Sequence, residues 1–81
     1  INIMSKFKEN DKVKINWNIF YKNCKIHDCD KNVIKDIREM NKVQKSIHEI
    51  TCVKENINKI TYDLNHNGYW FEENELNIIK V

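Results

Sequence analysis

Residues 12–17 alternate strictly, with Val13, Ile15 and Trp17 on one side of the chain and Lys12, Lys14 and Asn16 on the other. That is the period of a half-buried strand. From Asp30 the period changes, and Val33, Ile34, Ile37, Met40 and Val43 recur at three- and four-residue steps, the pattern of an amphipathic helix. Both periods fall within 81 residues. A fold of this size buries only about 60% of the surface of its unfolded chain and cannot support a second core, so strand and helix belong to one domain, residues 1–81 with its core at about 6–81.

The first strand is expected near residues 11–18. Ile19, Phe20 and Tyr21 continue its apolar run, and the polar stretch 22–30, which holds Cys24, His27 and Cys29, reads as a loop. One helix is expected over about 31–44, with Asp30 or Asn32 capping its first turn. Its outer face carries Lys31, Lys35, Asp36, Arg38, Glu39 and Lys42, charges that surface pairing would account for. Strand character returns near 47–53 and 59–65. Asn67-Gly68, the only glycine-marked turn, signals a hairpin into an aromatic strand near 69–72. A tight turn at Glu72–Glu75 then leads to a last strand near 76–80. Short strands, one hairpin and one tight turn predict a mainly β, α+β domain: a small, strongly bent barrel with a single helical insertion.

Hydrophobic residues make up 41% and charged residues 32%, with eight aromatics, too apolar a balance for a disordered tail. No stretch approaches the roughly 18 apolar residues that would span a bilayer, and a cytoplasmic protein is expected. Three cysteines cannot all pair within one chain, so reduced thiols are expected. The abundance of asparagine, isoleucine and lysine follows A/T-rich codons, which discounts asparagine as a functional signal. Met4 precedes the first patterned segment, so residues 1–3 carry a start-site ambiguity.

Lys6-Phe7-Lys8-Glu9-Asn10-Asp11-Lys12-Val13 matches a Lys-Phe-Lys-x-x-Asp-Lys-Val opening strand. Met40 through Ile50 supplies a methionine-bearing turn before an isoleucine-rich strand, and Tyr62 through Leu76 reads Tyr-x-Leu, glycine turn, tryptophan-aromatic pair and acidic turn with leucine. In these features the chain resembles small SH3-like domain proteins of phages and low-GC bacteria, over most of residues 6–79. The resemblance implies an SH3-like barrel and a mobile-element origin. It implies no reaction and no catalytic residues.

Cys24, His27 and Cys29, with His48, Cys52 and His66 elsewhere, are residue types that hold zinc. Structural zinc sites pair one closely spaced set with a second, and only half of that pattern is present. No bound metal or other cofactor is expected: Cys24 and Cys29 read as free loop thiols and Cys52 as a partly buried strand residue. No motif sets a histidine beside a nucleophile at a helix N-terminus. Glu72, Glu73 and Glu75 on one turn read as a solvated acidic face rather than a paired acid and base. The expectation is therefore a protein that is not an enzyme.

Two binding surfaces remain. Residues 1–45 hold eleven basic and six acidic side chains, and residues 46–81 hold three and six, so a basic half adjoins an acidic one. Tyr69, Trp70 and Phe71 cannot all point inward from one short strand, and the outward ring beside Glu72, Glu73 and Glu75 fits a protein anchor. The first expectation is a phage-type module that occupies a host protein through these six residues, an anti-CRISPR-like inhibitor of a nucleic-acid-targeting defence enzyme being one form. The alternative is direct nucleic-acid binding, with Lys12, Lys14, Lys22 and Lys25 near Trp17 and Tyr21 attracting phosphates and stacking bases.

Overall fold

A computed structural model describes residues 4–80; residues 1–3, the ambiguous start, and Val81 lie outside the described residues. The first strand, β1 (Lys12–Ile15), points Val13 and Ile15 into the core and Lys12 and Lys14 outward. It ends before the alternation does. The Asn16 side-chain oxygen accepts from the Ile19 amide at 3.3 Å and caps a helix, α1 (Trp17–His27). The end of the expected strand and residues 22–27 of the expected 22–30 loop are thus helix α1, and the described residues hold two helices rather than one. Trp17, Phe20, Tyr21 and Cys24 stand at three- and four-residue steps along α1, which is why an aromatic run of strand-like composition folds as helix.

Two backbone bonds close α1, both onto the Cys24 carbonyl: from Asp28, left-handed at φ 52°, and from Cys29 at 3.0 Å. After this tight cap the Asp30 carboxylate accepts from the Asn32 amide at 2.7 Å and opens α2 (Lys31–Val43), the helix that periodicity predicts. Ile37 is fully buried, with Val33, Ile34 and Met40 packed against the same core. Lys45 and Ser46, both at positive φ, reverse the chain into β2 (His48–Glu55).

β2 pairs antiparallel with β3 (Ile60–Leu64), which pairs antiparallel with β4 (Trp70–Glu72). A bulge between Ile50 and Cys52 shifts the β2–β3 register and leaves Cys52 exposed, not partly buried as expected. The β3–β4 turn is centred on Asn65 and His66, both left-handed, with the Asn67 amide donating to the Leu64 carbonyl at 2.9 Å. The turn therefore sits two residues earlier than Asn67-Gly68, and Gly68 (φ 92°) serves only the exit from it. A 3-10 turn, Glu73–Glu75, precedes β5 (Leu76–Ile78), which pairs with β1. The strand order is β4-β3-β2-β1-β5. The fold is α+β, an antiparallel sheet with β4 and β5 at its edges, open where a closed barrel was expected. Val13, Phe20, Ile37, Ile50, Tyr62, Leu64 and Phe71 form the centre of the core, so both helices pack on the sheet.

Candidate functional site

The aromatic-acidic segment divides between core and surface. Phe71 is fully buried and Tyr69 half-buried, their ring centroids 4.7 Å apart, while Trp70 is 38% exposed on the edge strand. Lys54 Nζ stands 5.5 Å from the Trp70 ring centroid, a cation over an aromatic face. The three glutamates do not form the solvated face expected. Glu75 is buried, and one of its carboxylate oxygens accepts from the Glu72 amide at 2.7 Å; the other has no partner among the described residues. Burial, first of all, pushes the Glu75 carboxyl above its ordinary range. Glu73 accepts from the Tyr62 hydroxyl and, at 3.0 Å, from the Lys6 amide, which ties the N-terminal segment to the turn. Burial and then this carboxylate push the Tyr62 hydroxyl up to about 12. Glu72 lies 3.6 Å from His27 and 3.7 Å from Lys59. These carboxylates hold the turn together, and Trp70 alone of the six presents a free hydrophobic surface.

The thiols are no more available as a centre. Cys24 is buried, Cys29 half-buried and His27 exposed, and among the described residues no three His, Cys, Asp or Glu side chains are grouped to hold a metal ion. Burial, then the hydrogen bond to Cys29, push the Cys24 thiol up to about 12. Such a thiol is a poor nucleophile near neutral pH.

The basic candidates also separate. Lys12 is ion-paired with Glu49 across β1 and β2, Lys14 projects from the outer face of β1, and Lys22 and Lys25 are exposed on α1. None of the four lines the groove that Trp17 and Tyr21 do line. That groove lies between α1 and α2 and has a volume of about 690 Å³. From α1 it takes Trp17 and Tyr21, whose centroids are 5.7 Å apart at an interplanar angle of 32°. From α2 it takes Lys31, Lys35, Arg38 and Lys42, with Ile34, Glu39 and Asn41.

The four cations follow from helix geometry: positions 31, 35, 38 and 42 share one stripe, running roughly 16 Å along the axis at 1.5 Å per residue. None is in an ion pair among the described residues, so the surface pairing expected of Asp36 and Glu39 is not made. Four cations against Glu39 leave the groove strongly positive, and its floor is aromatic and aliphatic. The structure brings Trp17 and Tyr21 together with Lys31, Lys35, Arg38 and Lys42 rather than with Lys12, Lys14, Lys22 and Lys25, because residues 17–27 are helix. Trp17 and Tyr21 at i and i+4, behind an Asn16 cap, were the available signal.

The edge of this groove is fixed from below. Asn41 Oδ1 lies 2.7 Å from Nε2 of the buried His48, whose Nδ1 lies 2.9 Å from Asn65 Nδ2. Three elements thus meet at one imidazole, and burial lowers its pKa below the usual histidine value. Comparison of the chain with protein-family models, curated proteins and solved structures gives no match.

Proposed function

We propose that this protein is a non-catalytic binding module whose α1–α2 groove binds nucleic acid through its phosphates. One observation carries the reading: four cations without ion-pair partners among the described residues, Lys31, Lys35, Arg38 and Lys42, share a groove with the Trp17–Tyr21 pair. Unpaired cations in a row attract a polyanion and release its counterions. The nucleic-acid reading is thereby moved from Lys12, Lys14, Lys22 and Lys25 to a different set of cations, and it is favoured over the acidic turn because the carboxylates there are engaged in holding the fold.

The kinship to SH3-like proteins of phages and low-GC bacteria is part of the same proposal. It is supported by the strand order β4-β3-β2-β1-β5 and by the 3-10 turn between the last two strands. On this view the helix pair is an insertion between the first two strands, and the binding groove is built on the insertion. A cytoplasmic setting fits such a role; no helix among the described residues is long and apolar enough to cross a membrane.

The test is a salt series with a labelled oligonucleotide. Four phosphate contacts at roughly 0.7 counterion each correspond to about 50-fold weaker binding between 50 and 200 mM salt. Reversing Lys35 and Arg38 to glutamate should abolish binding, whereas reversing Lys14 and Lys25 should leave most of it. Salt-independent binding, or loss through Lys14 and Lys25 alone, would reject the groove.

Host-protein binding stays as the second reading on one observation, the exposed Trp70 ring on edge strand β4. A protein captured from a host extract whose binding is lost in Trp70→Ala and kept in Lys35→Glu/Arg38→Glu would favour it.

A further inference from the structure

The cations and the aromatic pair face one another across a single groove, so one ligand must satisfy both. The Trp17 and Tyr21 rings are tilted by 32° at a centroid distance of 5.7 Å, closer to parallel than to edge-on, and Tyr21 is 41% exposed. Their other aromatic contacts lie on the core side: Phe20 meets Trp17 at 89° and Tyr21 at 63°, both edge-on. The pair is therefore anchored on its core side and exposed at Tyr21. Ile34, from α2, completes an apolar floor beside it, while Lys31, Lys35, Arg38 and Lys42 line the same groove.

A duplex offers phosphates on its outside and keeps its base faces stacked on one another inside. It can satisfy the cation row but leaves the aromatic pair idle unless a base is pulled out, at a cost of a few kcal/mol. An unpaired strand offers a phosphate and an open base face within one nucleotide. The groove's volume, about 690 Å³, is room for a group the size of one base beside the aromatic pair.

We infer that the α1–α2 groove is a single-strand site, in which one base extends the Trp17–Tyr21 stack while successive phosphates lie along Lys31, Lys35, Arg38 and Lys42. This rests on the nucleic-acid reading above and narrows it to unpaired strands. The stripe's length of roughly 16 Å makes it a short site, at the low end of the range of roughly 4–16 nucleotides found for single-strand-binding folds.

The experiment uses the full chain carrying Trp70→Phe, so that Trp17 is the sole tryptophan, titrated with a mixed-sequence single-stranded DNA 12-mer, the corresponding RNA, a duplex of the same sequence and inorganic polyphosphate. The single strands are expected to quench Trp17 emission and to bind at least tenfold more tightly than the duplex. Polyphosphate is expected to bind without quenching. Tyr21→Leu, which keeps apolar volume but removes the ring, should weaken single-strand binding roughly 5- to 150-fold, the range for losing one base–aromatic stack, and leave the salt slope unchanged. Tyr21→Phe should restore it. Equal or tighter duplex binding, or single-strand binding without quenching, would overturn the single-strand inference and leave the nucleic-acid reading standing. Failure of every oligonucleotide to bind would overturn both. Quenching requires no change at Tyr21, so the inference is testable even if that variant misfolds.

Discussion

Asn65 holds His48 in one tautomer. The Asn65 carbonyl oxygen accepts from the Glu49 amide at 3.0 Å, which turns its Nδ2 donor toward His48 Nδ1 at 2.9 Å. Nδ1 is thus an acceptor, and the ring carries its proton on Nε2, donated to Asn41 Oδ1 at 2.7 Å. A second proton would set N–H against N–H in a fully buried site.

Acid sensitivity follows, with a definite sign. The folded pKa of His48 lies below its ordinary 6.5 because the ring is buried, so between the two values the unfolded chain binds the extra proton. The contribution is complete above about pH 6.5 and is lost as pH falls toward the folded value, at up to roughly 1.4 kcal/mol per pH unit. Urea melts from pH 7.5 to 5 should show this slope, and His48→Gln should flatten it. A wild-type slope identical to that of the variant would refute the assignment.

Glu75 acts in the opposite direction. Its folded pKa is raised by burial, so its ionised form weakens the fold at neutral pH and the penalty disappears as pH falls through the folded value toward 4.5. Glu75→Gln removes the charge and keeps the acceptor for the Glu72 amide. It should match or exceed wild-type stability at pH 7 and show a steeper acid decline, since the Glu75 term that opposes His48 is gone. Glu75→Ala, which loses the acceptor, should be less stable than wild type by about 1–2 kcal/mol.

The aromatic triplet gives a stability contrast. Phe71 is fully buried and Trp70 is 38% exposed, so Phe71→Ala should cost about 3–5 kcal/mol and Trp70→Ala less, about 1–2. Val13, also fully buried, should cost roughly 2 kcal/mol on truncation to alanine. Denaturant midpoints decide; equal losses at Trp70 and Phe71 would contradict the strand's orientation.

Thiol accessibility should follow a fixed order. Cys52, exposed at the bulge, is expected to react with iodoacetamide first, Cys29 next, and Cys24 only on unfolding. Peptide mass spectrometry over a time course reads the order directly. Elemental analysis of the same sample should find no stoichiometric zinc, and about one zinc per chain would require Cys24, His27 and Cys29 to rearrange into ligands.

The sequence exposes α2, β2, β3 and β4 to within a few residues because each pairs a clear period with a local stop signal: the Asp30 cap, the polar stretch before Ile60, and Asn67-Gly68, two residues past the actual turn. α1 is harder to see because Trp17, Ile19, Phe20 and Tyr21 are strand-favouring by composition and continue the alternation of β1, which outweighs the local signal of the Asn16 cap and the four-residue step from Trp17 to Tyr21. The glutamates were misjudged for a related reason. Carboxylates on a turn are ordinarily solvated, and the packing of α1 against the 3-10 turn, which brings Asn23, Cys24 and His27 to Glu75, is invisible locally.

β1 sits between β2 and β5, and its residue Val13 is paired with both His48 and Ile78, 35 and 65 positions away. Strands β2, β3 and β4 are neighbours in sequence as well as in space, and each helix closes on local bonds. Loop closure entropy then orders assembly: the meander and the helix pair form on short contacts, and β1 docks last, in the gap they leave. Folding-rate analysis should give Val13 a φ-value near zero and Tyr62 a high one. The groove residues on α1, tethered to β1 through Asn16, reach their final places only in that closing step.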